Sequence, residues 1–254
     1  MPRMLAEQAS KDNIKVIAIA LSKDSISSLQ PVCDKVFQLG IGQTNKLLKT
    51  LKNEKIKNVF MIGKVDKKVI FQTKIFDFRA LKILKNMKLN DDKSLMTVVI
   101  DELKSEGISC LDQSLFLKKL FPSKGVLTKK KPTKSEWEDI QYGFSIAKEM
   151  AQMEIGQTVV VKNKSIVAVE AMEGTDQTIM RGLKIAGKGA IVVKVSRPKQ
   201  DFRYDIPAVG ETTLSMIIKG KASVLALEAE RTLVVNKDKM IELANKYKIS
   251  IVAV

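Results

Sequence analysis

The chain has 254 residues, 45% of them hydrophobic and 28% charged, with a net charge of +16 and no histidine. That length can bury one or two cores, and no run approaches the roughly 18 apolar residues that a membrane span needs. Without imidazole, Ser-His-Asp and Cys-His catalysis and His-rich zinc or dimetal centres are excluded. Hydrolytic chemistry must then run on Asp and Glu, assisted by Lys, Arg and a hard oxygen-bound cation.

The positive balance points to anionic company: nucleotide, phosphate ester, acidic lipid or nucleic acid. Most of the lysines lie along helical patterns such as "NKLLKTLKNEKIK" (45–57) and read as a solvated face. Arginine is scarce, at Arg3, Arg79, Arg181, Arg197, Arg203 and Arg231 only. A chain that uses Lys for generic charge keeps Arg where a planar, two-pronged donor matters. Cys33 and Cys110 are isolated and read as reduced, mostly buried thiols of a cytoplasmic protein. The opening "MPRMLAEQASK" has no apolar stretch of the signal-peptide kind.

In chain order, "IKVIAIAL" (14–21), "KVFQLG" (35–40) and "NVFMIGKV" (58–65) predict short strands. "TNKLLKTLKNEK" (44–55) and "DFRALKILKNM" (77–87) have helical spacing. "DDKSLMTVVIDELKSEG" (91–107) predicts a helix capped by Asp91 or Asp92 and stopped at Gly107. This alternation predicts a parallel α/β sheet, whose ligands collect beyond the carboxyl ends of the strands. "PSKGVLTKKKPTKS" (122–135) is turn-rich and basic, the best candidate linker.

"TKSEWEDIQYGFSIAKEMAQME" (133–154) predicts a long helix with Ser135 and Glu138 as capping box and Trp137 as core anchor. "TVVVKNKSIVAVE" (158–170) predicts a hairpin turning at "KNKS". There follow a helix "GTDQTIMRGLKIAG", a strand "AIVVKV", a helix "ETTLSMIIKG", a strand pair "SVLALEAE" and "RTLVVN", a helix "KDKMIELANKYK" and a strand "ISIVAV". "GLKIAGKG" (182–189) nearly matches a phosphate-binding P-loop, but Gly189 stands where Ser or Thr is needed. Gly187 reads better as a helix C-cap.

Two turns carry the chemistry. In "VAVEAMEGTDQT" (167–178) a strand ends at Glu170, and Glu173, Gly174, Thr175 and Asp176 fall at the turn into a helix. Thr175 or Asp176 reads most simply as the N-cap. The same turn also offers helix-terminal amides to a phosphate and three carboxylates to a divalent cation. In "KVSRPKQDFRYDIPAVG" (194–210), Asp201 and Asp205 stand among Arg197, Lys199 and Arg203, between Pro198 and Pro207. Exposed ion pairs alone contribute only about 0–1 kcal/mol each. Prolines that stiffen the loop and scarce arginines on both sides of a carboxylate suit an anion site, one compatible with pyrophosphate chemistry.

"VAVEAMEGTDQTIMRG", "KVSRPKQDFRYDIPAVGETT" and "ALEAERTLVV", with "GVLTKKKPTKSEWEDIQYGFSIA", "EIGQTVVV" and "MIGKV", resemble the LpxI-type UDP-2,3-diacylglucosamine pyrophosphatases over essentially the whole chain. The resemblance implies an α/β fold of two domains: a Rossmann-like N-terminal domain (1–125) and a C-terminal α/β domain with a mixed sheet (133–254). It implies hydrolysis of UDP-2,3-diacylglucosamine to lipid X and UMP in lipid A synthesis, with magnesium or another divalent cation. Carried onto this chain, it implies catalysis by Asp201, Asp205 and Arg203. Substrate binding falls to Glu173, Gly174, Thr175, Asp176, Arg197, Lys199, Gln200 and Gly210, and the cation to Glu170, Asp176, Asp201 and Asp205. Family members begin with a strand and a glycine-rich turn that this chain, starting at Met1-Pro2, is expected to lack. Asn245 stands where the family usually has Asp, with little expected effect.

The rival reading is a non-catalytic module that binds anionic lipid or a nucleotide sugar. RNA is disfavoured, because aromatic residues are only 5% of the chain and sit at core-like positions. A cytoplasmic protein peripheral to the anionic inner membrane is expected from the cationic surface and the acylated substrate. A dimer is carried as an expectation, although no residue pattern specifies one.

Overall fold

Leu47, Leu48 and Leu51 share one face of a helix, and that spacing buries Leu48 and Leu51 to 2% and 6% exposure. The computed structural model describes residues 1–63, 76–85 and 92–254. Among them the chain forms two units, Met1–Leu117 with Phe202–Tyr204, and Lys118–Asp201 with Asp205–Val254.

The first unit runs α1 (Pro2–Lys11), β1 (Ile17–Ala20), α2 (Lys23–Leu29), β2 (Lys35–Gln38), α3 (Thr44–Asn53), β3 (Asn58–Val59), α4 (Phe78–Lys85), α5 (Asp92–Ser105), β4 (Ser109–Cys110) and α6 (Ser114–Leu117). β1 pairs parallel with β2, and β3 parallel with β4, as strand–helix alternation predicts. Leu48 and Leu51 of α3 pack with Leu103 of α5 and with Ile108. The third expected strand is shorter than its apolar run, ending at Val59. Residues 64–65 of that run, 86–87 of the expected helix, Asp91 and the side chain of Asp92 lie outside what is described, and with them the expected cap. Cys33 and Cys110 are half-buried.

The second unit runs β5 (Gly125–Val126), α7 (Lys134–Gln152), β6 (Thr158–Lys162), β7 (Ser165–Val169), α8 (Thr175–Ala186), β8 (Ile191–Lys194), β9 (Ala208–Val209), α9 (Glu211–Lys219), β10 (Val224–Leu227), β11 (Leu233–Val234), α10 (Lys237–Lys246) and β12 (Ser250–Ala253). Its six-stranded sheet has the order β5-β12-β10-β8-β6-β7. β8, β10 and β12 are parallel, while β5, β6 and β7 pair antiparallel, which makes the sheet mixed. Successive side chains alternate between two cores. Val159, Val161, Ile191 and Val193 pack with Ile140, Ala147 and Met150 of α7. Val160, Val192, Leu225 and Ile251 pack with Ile179, Leu183, Leu214, Ile217 and Met240 of α8, α9 and α10. The central strands, buried on both faces, therefore read as unbroken apolar runs. Trp137 is partly buried against the α7-side core.

The hairpin turns at Asn163 and Lys164, with φ of 50° and 56°. Two left-handed residues are what a tight two-residue hairpin requires. The buried Asp139 carboxylate of α7 accepts both of their N–H groups, at 2.9 and 2.6 Å. Asn245 Oδ1 accepts the N–H of Lys129 at 2.7 Å, a bond that an Asp would accept equally well.

Three local expectations are corrected. The basic segment 122–135 carries β5, paired with Val252 and Ala253, and Leu127 N–H donates to the Ile251 carbonyl at 2.8 Å. Backbone pairing at a sheet edge holds it despite its turn-like composition. The capping box is Thr133 with Glu136 instead of Ser135 with Glu138, two residues earlier. "SVLALEAE" and "RTLVVN" do not pair: β10 lies between β8 and β12, and β11 runs parallel to β9. Sequential strands separated by a short connection cannot pair in parallel, so each finds a partner elsewhere.

Candidate functional site

β8 ends at Lys194, whose register partners are Thr158 on β6 and Leu227 on β10. Alternation along β8 turns Lys194 to the same face as Val192, the face covered by α8, α9 and α10. Its residue is only 9% exposed, and its Nζ donates to Thr175 Oγ1 at 3.1 Å. Burial pushes its pKa below the ordinary value, while the charges of Glu170, Asp176 and Asp205 pull the other way. Carboxylates from both predicted turns thus act electrostatically on one amine at the carboxyl end of a central strand. Ligands of α/β sheets gather at such ends.

Glu170 follows β7. Its carboxylate accepts from Thr175 Oγ1 at 2.9 Å and from the Gln157 N–H at 3.3 Å. The N-cap of α8 is Gly174, with φ of 80°, a correction to Thr175 or Asp176. Only glycine adopts that conformation without strain, which frees the Thr175 hydroxyl to bridge Glu170 and Lys194. Asp176 lies in the exposed first turn. Glu173 points elsewhere: it accepts from Arg181 at 2.7 Å and Thr178 Oγ1 at 3.2 Å, and the Arg181 hydrogen bond holds its carboxyl below the usual range.

The loop after β8 is braced internally. Gln200 Nε2 donates to the Asp205 carbonyl at 3.1 Å and also to the Asp205 carboxylate, while its Oε1 accepts the Arg197 N–H at 3.2 Å. Arg197 also pairs with the Asp205 carboxylate at 3.3 Å, and its buried Nε has no hydrogen-bond partner among the described residues. The Asp205 N–H donates to the Asp201 carbonyl at 3.1 Å. Lys199 is exposed, and Gly210 is the extended N-cap of α9. Arg203 belongs to the first unit, where its carbonyl accepts from Gln113 Nε2 at 3.4 Å and Cys110 Sγ at 3.9 Å.

Sequence reasoning missed Lys194 and Glu228. Glu228 follows β10, accepts the Ser196 N–H at 2.7 Å, and pairs with Lys148 at 2.8 Å. Arg231 donates to the Arg197 carbonyl at 3.0 Å. These residues fix where the loop leaves the sheet. The available signal was a lysine closing the apolar run "GAIVVKV", since a buried amine needs a reason to be there.

Among the described residues, no three acidic or thiol side chains converge as a metal cage. Magnesium asks for less: one or two carboxylates, with phosphate oxygens and water completing the octahedron. The exposed Asp176 and half-exposed Asp205 fit a cation that arrives with a polyphosphate.

The fold and site define an α/β protein with a buried lysine at the carboxyl end of a central strand of a mixed sheet, hydrogen-bonded to Thr175 in the acidic turn after β7. Residues 1–120 match the LpxI N-terminal domain and residues 123–252 the LpxI C-terminal domain, so the chain belongs to the LpxI family. It is similar to the UDP-2,3-diacylglucosamine pyrophosphatase LpxI of Caulobacter vibrioides, 29% identical over 218 residues, covering 82% of this chain and 78% of the relative.

Proposed function

We propose that the chain hydrolyses the pyrophosphate bond of UDP-2,3-diacylglucosamine, giving 2,3-diacylglucosamine 1-phosphate (lipid X) and UMP. The reading is carried by one observation: the buried Lys194 Nζ donates to Thr175 Oγ1 at 3.1 Å, and that hydroxyl donates to the Glu170 carboxylate at 2.9 Å, at the start of α8. It is supported by the Caulobacter relative, a UDP-2,3-diacylglucosamine pyrophosphatase. The amides at the start of α8, with Glu173, Gly174, Thr175, Gln200 and Gly210, are the proposed substrate-binding groups. Asp201 or Asp205 orients a water molecule and takes its proton. The water oxygen bonds to one phosphorus, and the bridging oxygen leaves with the electron pair of the broken P–O bond. Arg197, Lys199 and Arg203 offset the charge that builds on the phosphoryl oxygens. A magnesium ion on one or two of Glu170, Asp176, Asp201 and Asp205 would supply further neutralisation of the diphosphate.

The test is incubation with UDP-2,3-diacylglucosamine and magnesium, following UMP and lipid X. Release of both products, abolished by chelation, is expected. Asp201→Ala and Asp205→Ala should keep substrate affinity while at least one loses about 10²–10⁴-fold in rate. Binding without release by the native chain would instead support a nucleotide-sugar binding protein. Full activity in both variants would remove the aspartates from the chemistry.

A further inference from the structure

The geometry points to Lys194 as a catalytic residue whose ammonium grips a phosphate oxygen of the diphosphate. The inference rests on the hydrolytic reading above. Lys194 is 9% exposed at the end of an apolar strand, and its one hydrogen bond runs to Thr175 Oγ1 at 3.1 Å. That hydroxyl donates its own proton to Glu170, at 2.9 Å. An ammonium group carries three N–H donors, so two remain for a ligand. A buried charge with unused donors is costly to a fold that only needs packing there, and Leu or Met would serve better. Among the described residues no carboxylate forms a salt bridge with it; Glu170, Asp176 and Asp205 act on it at longer range.

The surroundings favour a phosphate as the missing partner. Thr175 begins the twelve-residue helix α8, whose N-cap Gly174 offers the first amides no side-chain acceptor. Arg197, on the loop leaving β8, also keeps a buried Nε without a hydrogen-bond partner among the described residues. Lys194, with donors to spare beside a helix N-terminus, and Arg197, paired with the Asp205 carboxylate, are the groups that would cradle phosphoryl oxygens. In a water-poor site such a preset charge stabilises the negative charge that gathers as the P–O bond breaks, and needs no reorganisation to do so.

The test compares the native chain with Lys194→Met, and with Lys194→Cys before and after aminoethylation, which rebuilds an ammonium at nearly the same reach. Native chain treated in parallel controls for modification of Cys33 and Cys110. With UDP-2,3-diacylglucosamine and magnesium, K194M should keep or raise the melting temperature yet lose about 10²–10³-fold in kcat. K194C should be equally slow, and aminoethylation should restore most of the loss, which a packing role would not do. K194M activity within about threefold of native, or a folded aminoethylated K194C that stays slow, would overturn the role of Lys194 alone. If K194M fails to fold, the K194C pair carries the same comparison. If the native chain gave no products, the hydrolytic reading would fall. In that case, equal affinity of native chain and K194M for UDP-2,3-diacylglucosamine would overturn the phosphate contact too, and weakened K194M binding would uphold it.

Discussion

Gly156 lies against the backbone of Glu170, so closely that a Cβ at Gly156 would stand 2.1 Å from the Glu170 carbonyl oxygen. Backbone cannot swing aside as a flexible side chain can, so any larger residue pushes the end of β7 away. That displacement moves the Glu170 carboxylate from Thr175. Gly156→Ala should therefore cost about 1–3 kcal/mol by denaturant unfolding and reduce turnover more than its stability loss explains. A variant as stable and as active as the native chain would contradict the crowding.

Glu228 receives the Ser196 N–H in a buried setting, at 2.7 Å. Glu228→Ala would leave that donor without its acceptor and remove the carboxylate partner of Lys148, whose Nζ would keep the Ser196 carbonyl at 3.1 Å. A buried donor left unpaired costs about 1–3 kcal/mol, and the loop from Ser196 to Pro198 would lose its anchor. The expected result is a lower midpoint of urea unfolding together with lower kcat, measured on folded protein. Unchanged kcat would show that the loop holds its course without Glu228.

Glu136 closes the capping box of α7, accepting the Thr133 N–H at 2.8 Å. Burial raises its pKa, but hydrogen bonds from Thr133 and Ser223 and the charge of Lys130 outweigh it, leaving the group below its ordinary 4.5. A depressed folded pKa means that the unfolded chain takes up the proton first. The stabilisation is thus present above the unfolded value and lost as pH falls through the folded one. The stability gap between native chain and Glu136→Gln, followed by urea unfolding, should shrink below about pH 4. A gap independent of pH would refute the ionised cap.

With a net charge of +16, the chain should sediment with vesicles containing phosphatidylglycerol. Among the described residues, no helix is long and apolar enough to cross a membrane. Charge is then the expected source of attraction, and screening tightens from about 10 Å at 0.1 M salt to about 3 Å at 1 M. Binding should fall steeply over that range. Binding indifferent to salt would exclude charge as its cause.

Much of the second unit was legible because its signals are local. The pair Asn163-Lys164 between two apolar runs marked the hairpin, and Gly187 after a helical pattern marked the end of α8. The capping box slipped because Thr133 and Ser135, both good caps, each have a Glu three residues on. The cap of α8 slipped because Gly174 supplies a backbone angle and no side chain. Carboxylates at 170–176 and 201–205 stood out by residue type alone, whereas Glu173 turned away to Arg181 for a reason no spacing displays.

By itself the sequence determined the α/β class, the exclusion of histidine chemistry and the two acidic turns, since composition and hydrophobic period belong to consecutive residues. Only the tertiary structure decided that Lys194 reaches the first of those turns, bound to Thr175 nineteen positions earlier. A strand end and a helix start become neighbours only when a sheet and its covering helix have packed, and electrostatic partnership follows distance in space.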